Sequence, residues 1–305
     1  MVNLFVESKR MQLTPNFPPY ALSIVKSRGG KVASAGEIAH AFTYSPHVES
    51  IVAIDIDPDV VDFWTHMKDV IQNGSIEDFL SEYNNFGEKL EWGTKTGIST
   101  HEGRPVSMGP LGFTPFIDYR NEFSRVKENI GKVAIARADL TDFLEESRQD
   151  GTKYDTLLLN NVPEYVEDWN ALFENPPVVN DGLVVLVKRA EDLYTTDGHV
   201  FRKDGRITPG VILGAGAGIG KNMKADGWES VDVAEALGHF GYQPAASAFV
   251  TDRRLSEDGR LAGLVQRESK DGRAKIIAHE LFDLFSIPNS HGYVAFAFTY
   301  KNPQK

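Results

Sequence analysis

The sequence predicts an α/β protein: a doubly wound, mostly parallel seven-stranded sheet with inserted loops and hairpins. Three observations predict it. Short β-branched apolar runs alternate with amphipathic stretches of helical period, the signature of strands joined by crossover helices. Those runs are apolar throughout rather than every second residue, as expected of strands covered on both faces. Each of the first four runs also gives way at its end to small or polar residues, so the strand ends would share one hydrophilic rim.

The elements follow in order. "LFVES" and "MQLTP" suggest a short lead-in hairpin, and "PPYALSIVKSR" a helix opened by proline. "KVAS" reads as the first strand and "GEIAHAF" as the helix behind it. "SIVAIDI" is a buried strand, and "PDVVDFWTHMKDVIQN" a helix with Pro58 in its first turn and Asp57 as its cap. "KVAIA" and "YDTLLLN" are the third and fourth strands, followed by helices "LTDFLEES" and "YVEDWNALFE". "DGLVVLVKR" is a strand after a glycine turn, "SVDVAEALGHFGY" a helix, and "PAASAFVT" and "GYVAFAFTY" the last two strands.

Three stretches interrupt the rhythm. Residues 74–130 are long for a connection and rich in Gly, Pro and aromatics, as lids and binding loops are. Residues 190–225 hold "HVFRKDGRITP", where Asp-Gly marks a hairpin turn, and residues 253–280 hold two further Asp-Gly pairs that suggest another. The expectation is one domain over 1–305 with these stretches as an insertion and two decorations.

Composition narrows the function classes. A net charge of −11 disfavours a nucleic-acid partner, because the phosphate backbone would be repelled. The absence of cysteine removes thiolate nucleophiles, disulfides and Cys-ligated zinc, and fits a reducing compartment. "MVNLFVESKR" reaches charge too early for a secretory leader, and no apolar run approaches spanning length. The expectation is a cytoplasmic protein with no integral membrane association, and the composition leaves room for a homo-oligomer.

Two glycine-bearing stretches compete for a ligand. "GAGAGIGK" (Gly214–Lys221) fails the phosphate-cradle spacing, with Ala215 at the first glycine's place and Asn222 at the hydroxyl's. It also fails the dinucleotide spacing, and reads as a flexible loop at a sheet edge or a flap over a site. "KVASAGEIAHAF" instead passes from strand to helix through Ser34, Ala35, Gly36 and Glu37, small residues that admit a ligand to the backbone and to helix-start amides. Asp55 follows Gly36 by 19 residues, the spacing at which an acid on the second strand accepts from ribose hydroxyls. Asp139 ends the third strand region, and Asn160 and Asn161 end the fourth.

The same stretch and its neighbours admit other chemistry. "DIDPD" could hold magnesium, but ribose binding by Asp55 and capping by Asp57 account for it, and Val60 stands where a calcium loop needs glycine. The eight histidines show no metal spacing, so no metal is expected; His101 could serve as a base or lie on the surface. Tyr119 and Arg120 could grip a substrate carboxylate or phosphate, or form one turn of a solvated helix.

The series of strand ends resembles class I S-adenosylmethionine-dependent transferases, the Rossmann-like methyltransferase fold. The resemblance runs over about residues 30–190 and extends to the last two strands. It implies that Ser34, Ala35, Gly36 and Glu37 hold the methionine part of S-adenosyl-L-methionine, Asp55 the ribose and Asp139 the adenine. It further implies that Asn160 and Asn161 face the reaction centre. "SAGEIA" is similar to the turn of aminocarboxypropyl transferases of betaine-lipid synthesis, and "SPHVESIVAIDIDPDVV" to spermidine synthases, which have an acid where Asn160 or Asn161 stands. "NNVPEY" is similar to the Asn-Pro-Pro-Tyr loop of amino-group methyltransferases, which puts Tyr165 with Tyr119 and Arg120 on the substrate side. The reading is a methyl or aminocarboxypropyl transferase for a small-molecule or lipid-like acceptor. An NAD(P)-dependent oxidoreductase and a non-catalytic protein of the same fold are the alternatives.

Overall fold

The structure is a computed structural model that describes residues 19–36, 38–79, 81–82, 99–101, 104–106, 119–160, 162–189, 200–209, 226–231, 233–251, 268–269 and 292–301. The chain forms two compact units, one of Met1–Phe17 with Val25–Leu140, the other of Pro18–Ile24 with Thr141–Lys305. The boundary near the N-terminus falls within helix α1 (Pro19–Arg28).

The first unit is built on three parallel strands, β1 (Lys31–Ala35), β2 (Ser50–Asp55) and, further along, β5 (Val133–Arg137). Helix α2 (Ile38–Tyr44) follows β1 and is buried along its whole length. Helix α3 (Pro58–Asn73) follows β2. Its buried residues Phe63, Trp64, Met67 and Ile71 recur at helical spacing, and Trp64 meets Phe42 of α2 edge-on with ring centroids 5.7 Å apart. Asp57 caps α3, accepting from the Asp59 amide at 2.8 Å. The long insertion holds a small hairpin, β3 (Ser99–His101) with β4 (Arg104–Val106), and helix α4 (Tyr119–Asn129), whose Phe123 ring packs against Phe79 with centroids 6.0 Å apart.

After Pro18–Ile24 the second unit resumes at Thr141, within α5 (Leu140–Gln149), and continues with β6 (Tyr154–Asn160), helix α6 (Trp169–Phe173) and β7 (Val178–Arg189). A hairpin of β8 (Val200–Lys203) and β9 (Arg206–Pro209) turns on Asp204–Gly205, both with positive φ (51° and 79°), as a two-residue primed turn requires. Strand β10 (Glu229–Val231) joins β8 on its other side. Helix α7 (Val233–Gly238) and strands β11 (Tyr242–Thr251), β12 (Glu268–Ser269) and β13 (Gly292–Tyr300) complete the unit. Buried Tyr242 donates its hydroxyl to the Phe173 carbonyl at 3.2 Å, and burial holds that phenol well above its ordinary pKa.

The strand order is β12-β11-β13-β7-β6-β1-β2-β5, with β1, β2 and β5 mutually parallel, β6 parallel to β7, and β13 antiparallel to both its neighbours. The sequence runs outward from β1 to β5 in one direction and from β6 to β7 in the other, which is the doubly wound pattern. The seven expected strands are present, and two-residue β12 is an eighth at the edge.

Several expectations are corrected. "YVEDWNALFE" is not one helix: Val162–Tyr165 make a 3-10 turn and α6 starts at Trp169. Asp168 is the reason, since its carboxylate accepts from the Asn170 amide and starts a new helix there. "SVDVAEALGHFGY" divides because its first residues pair with β8 as β10. Strand β7 begins at Val178, and Asp181–Gly182 form an irregularity inside it where the register against β6 shifts. The lead-in hairpin lies outside the described residues, as do Gly214–Lys221 and both Asp-Gly pairs of 253–280. Glu268–Ser269 of that last stretch pair with β11. Among the described residues no helix is long and apolar enough to cross a membrane, and no cluster of three His, Asp or Glu residues could hold a metal ion.

Candidate functional site

The carboxyl ends of β1, β2 and β5 form one rim in the first unit. Ala35, Ile54 and Ala136 are partners across the three strands and make one row. The next residues along are Gly36, Asp55 and Arg137, so the glycine turn and the two strand ends lie within two strand spacings, about 10 Å.

Backbone hydrogen bonds fix this rim. Gly36 donates its N–H to the Ile54 carbonyl at 3.1 Å, which stitches the turn after β1 to the end of β2. Ala138 donates to the Asp55 carbonyl at 3.0 Å, which carries the segment bearing Asp139 along β2. The Asp55 carboxylate is oriented locally: its Oδ1 accepts from the Asp57 N–H at 2.9 Å, in a half-buried setting. Gly36 has φ +70°, a left-handed conformation that side-chain-bearing residues resist.

Burial differs along the rim. Ser34 and Ala35 are each 1% exposed, and the Ser34 hydroxyl has no hydrogen-bond partner among the described residues. Gly36 and Asp55 are half-buried, and Asp139 is exposed. A buried orphan hydroxyl, a left-handed glycine turn and two carboxylates on one edge supply the polar groups and close backbone approach that a nucleoside-bearing ligand uses.

The structure thus brings together Ser34, Ala35, Gly36, Asp55 and Asp139. Glu37 and Asn161 lie outside the described residues. Tyr119 and Arg120 are the first two residues of α4 in the same unit. Asn160 belongs to the second unit, where it ends β6, buried and partnered in register with Val187; Tyr165 ends the 3-10 turn that follows.

One element of the rim escapes sequence reading. The Ala138 amide sets where Asp139 stands, but a backbone donor leaves no side-chain signature. A second such feature lies in the segment after β6. Buried Trp169 donates its indole N–H to the Pro163 carbonyl at 2.8 Å. Asn170 donates to the Gly205 carbonyl and accepts from the Ile207 amide, both at 3.0 Å, and so holds the β8–β9 hairpin.

No protein-family model and no curated protein matches the chain. Among solved structures it is similar to an S-adenosylmethionine-dependent methyltransferase from Mesorhizobium loti (12% identity, 94% of this chain and 98% of that one, TM-score 0.40). It is similar also to the YcgJ protein from Bacillus subtilis (11% identity, 93% and 99%, TM-score 0.39). A third is the N-methyltransferase NodS from Bradyrhizobium japonicum WM9 in complex with S-adenosyl-L-homocysteine (10% identity, 93% and 85%, TM-score 0.34). The fold follows from strand order and register themselves: a doubly wound, Rossmann-like, mostly parallel sheet, with β13 antiparallel between β7 and β11.

Proposed function

We propose that the chain is an S-adenosylmethionine-dependent transferase acting on a small-molecule or lipid-like acceptor, and that it moves a methyl or an aminocarboxypropyl group. The observation that carries this reading is the shared rim of Gly36, Asp55 and Asp139, tied by the Gly36–Ile54 and Ala138–Asp55 backbone bonds. Residues 1–305 act as one functional unit in this reading, in a cytoplasmic setting. The net charge of −11 supports a small acceptor over nucleic acid.

The residues fit the donor by chemistry. Asp55, its Oδ1 already turned by the Asp57 amide, accepts from ribose hydroxyls. The turn Ser34–Gly36, with Glu37, takes the methionine end, where the buried Ser34 hydroxyl gains a partner. Asp139 meets the base. When bound, the donor supplies a sulfonium whose charge activates its own carbon substituents, so the protein's task is to align donor and acceptor and exclude water. Asn160 and Asn161 orient the acceptor by hydrogen bonding, and Tyr119, Arg120 and Tyr165 grip it.

Calorimetric titration with S-adenosylmethionine, S-adenosylhomocysteine and NADH tests the reading. Binding of the first two, and a loss of about 1–3 kcal/mol in Asp55→Ala, is expected. Uptake of NADH alone would favour the oxidoreductase, and uptake of none at millimolar ligand the non-catalytic protein.

A further inference from the structure

Arg137 closes β5 and is the register partner of Asp55 on β2. Partnered residues on parallel neighbours project to the same face of the sheet, with the strands about 4.8 Å apart. An arginine and an aspartate so placed could pair with each other. Among the described residues, however, the Arg137 side chain makes no hydrogen bond or ion pair, and Asp55 Oδ1 accepts from the Asp57 amide. Arg137 is exposed, and β5 is the last strand of the sheet order, so among the described residues no further strand covers its outer side. Two residues on stands Asp139, on the segment that the Ala138–Asp55 bond holds against β2.

We propose that Arg137 is a donor-binding residue whose guanidinium stacks on the purine face, beside the ribose held by Asp55 and the base edge met by Asp139. The inference rests on the adenosyl-donor reading above. A guanidinium is planar, weakly hydrated and always charged, and it stacks on aromatic faces where an ammonium binds only as a point charge. The two carboxylates can serve hydroxyl and amino donors, but neither offers a surface to the ring. Arg137 is the group in the same row that does.

The test titrates wild type, Arg137→Lys and Arg137→Ala with S-adenosylmethionine, S-adenosylhomocysteine and 5′-methylthioadenosine, with thermal melts to show that each variant is folded. Arg137→Ala is expected to lose roughly 3- to 30-fold in affinity for all three ligands alike, with Arg137→Lys between it and wild type. Equal loss is the signature of base recognition, since 5′-methylthioadenosine carries the base and ribose but no carboxylate. Loss for the first two ligands with 5′-methylthioadenosine unmoved would mean that Arg137 grips the methionine carboxylate, and would overturn the proposal. So would unchanged affinity in a folded Arg137→Ala whose wild type binds all three. A wild type that takes up none of them overturns the proposal together with the donor reading beneath it.

Discussion

Gly36 donates its backbone N–H to the carbonyl of Ile54 across 3.1 Å while holding φ at +70°. The bond extends the parallel β1–β2 pairing one residue past Ala35, and the left-handed φ then turns the chain out of the strand. A Cβ at this φ is resisted by the following carbonyl. Gly36→Ala is therefore expected to cost about 1–2 kcal/mol in urea unfolding and to weaken S-adenosylmethionine binding in titration. A variant as stable as wild type, with undiminished donor affinity, would mean that the turn is not held this way.

Asp57 caps α3 through the Asp59 amide, while its own amide orients Asp55. Replacing its side chain removes the first interaction and leaves the second. Asp57→Ala should lower unfolding free energy by about 1 kcal/mol with little change in donor affinity. Affinity falling in step with stability would show that cap and site are not separable.

Gly182 sits inside β7 where the register against β6 shifts. A Cβ there would press on Val178 Cγ1 and lie 2.8 Å from the Val179 carbonyl oxygen. The Val179 carbonyl cannot yield without moving the strand, so Gly182→Ala should destabilise by about 1–3 kcal/mol, read as a lowered denaturation midpoint. A neutral result would require the irregularity to open at no cost.

The sequence made some of this legible and some not, for physical reasons. Helix α3 (Pro58–Asn73) and strand β6 (Tyr154–Asn160) have the boundaries read from sequence, because proline, a capping aspartate and unbroken apolar runs act locally. The β8–β9 hairpin was legible from Asp204–Gly205, since few other pairs accept two positive φ angles. Asp181–Gly182 carries the same letters, yet it lies within a strand, because neighbours on β6 decide the outcome. The rim's acids were found by their spacing behind strands. The amides that position them, and the Asn170 clamp spanning 35 residues to Gly205, depend on contacts that no local pattern encodes.

Acidification should expose a local carboxylate. Asp78 accepts from both the amide and the hydroxyl of Ser75, at 2.7 and 2.8 Å, and the backbone bond, then the side-chain bond, hold its pKa below the ordinary carboxylate value. A folded-state pKa below the unfolded one stabilises at pH above the unfolded value, and the contribution is lost as pH falls through the lowered folded value. An NMR titration should place the Asp78 midpoint below that of a model carboxylate, and Ser75→Ala should move it upward. An ordinary midpoint in wild type would sink the assignment.

Asn170 substitutes for a strand edge. Its side-chain amide donates to the Gly205 carbonyl of the turn and accepts from the Ile207 amide of β9, the pair of contacts that a neighbouring strand would provide. Glu167 adds an ion pair to Arg206 at 2.6 Å and a carbonyl acceptor for the Thr208 hydroxyl at 3.0 Å. The ion pair is exposed and contributes little; the bond to Ile207 is part-buried and contributes more. Asn170→Ala should therefore destabilise by about 1–2 kcal/mol, and the Ile207 amide should exchange its hydrogen faster than in wild type. Glu167→Gln should leave that amide nearly as protected. Unchanged exchange at Ile207 in Asn170→Ala would show that β8 alone holds β9 in place.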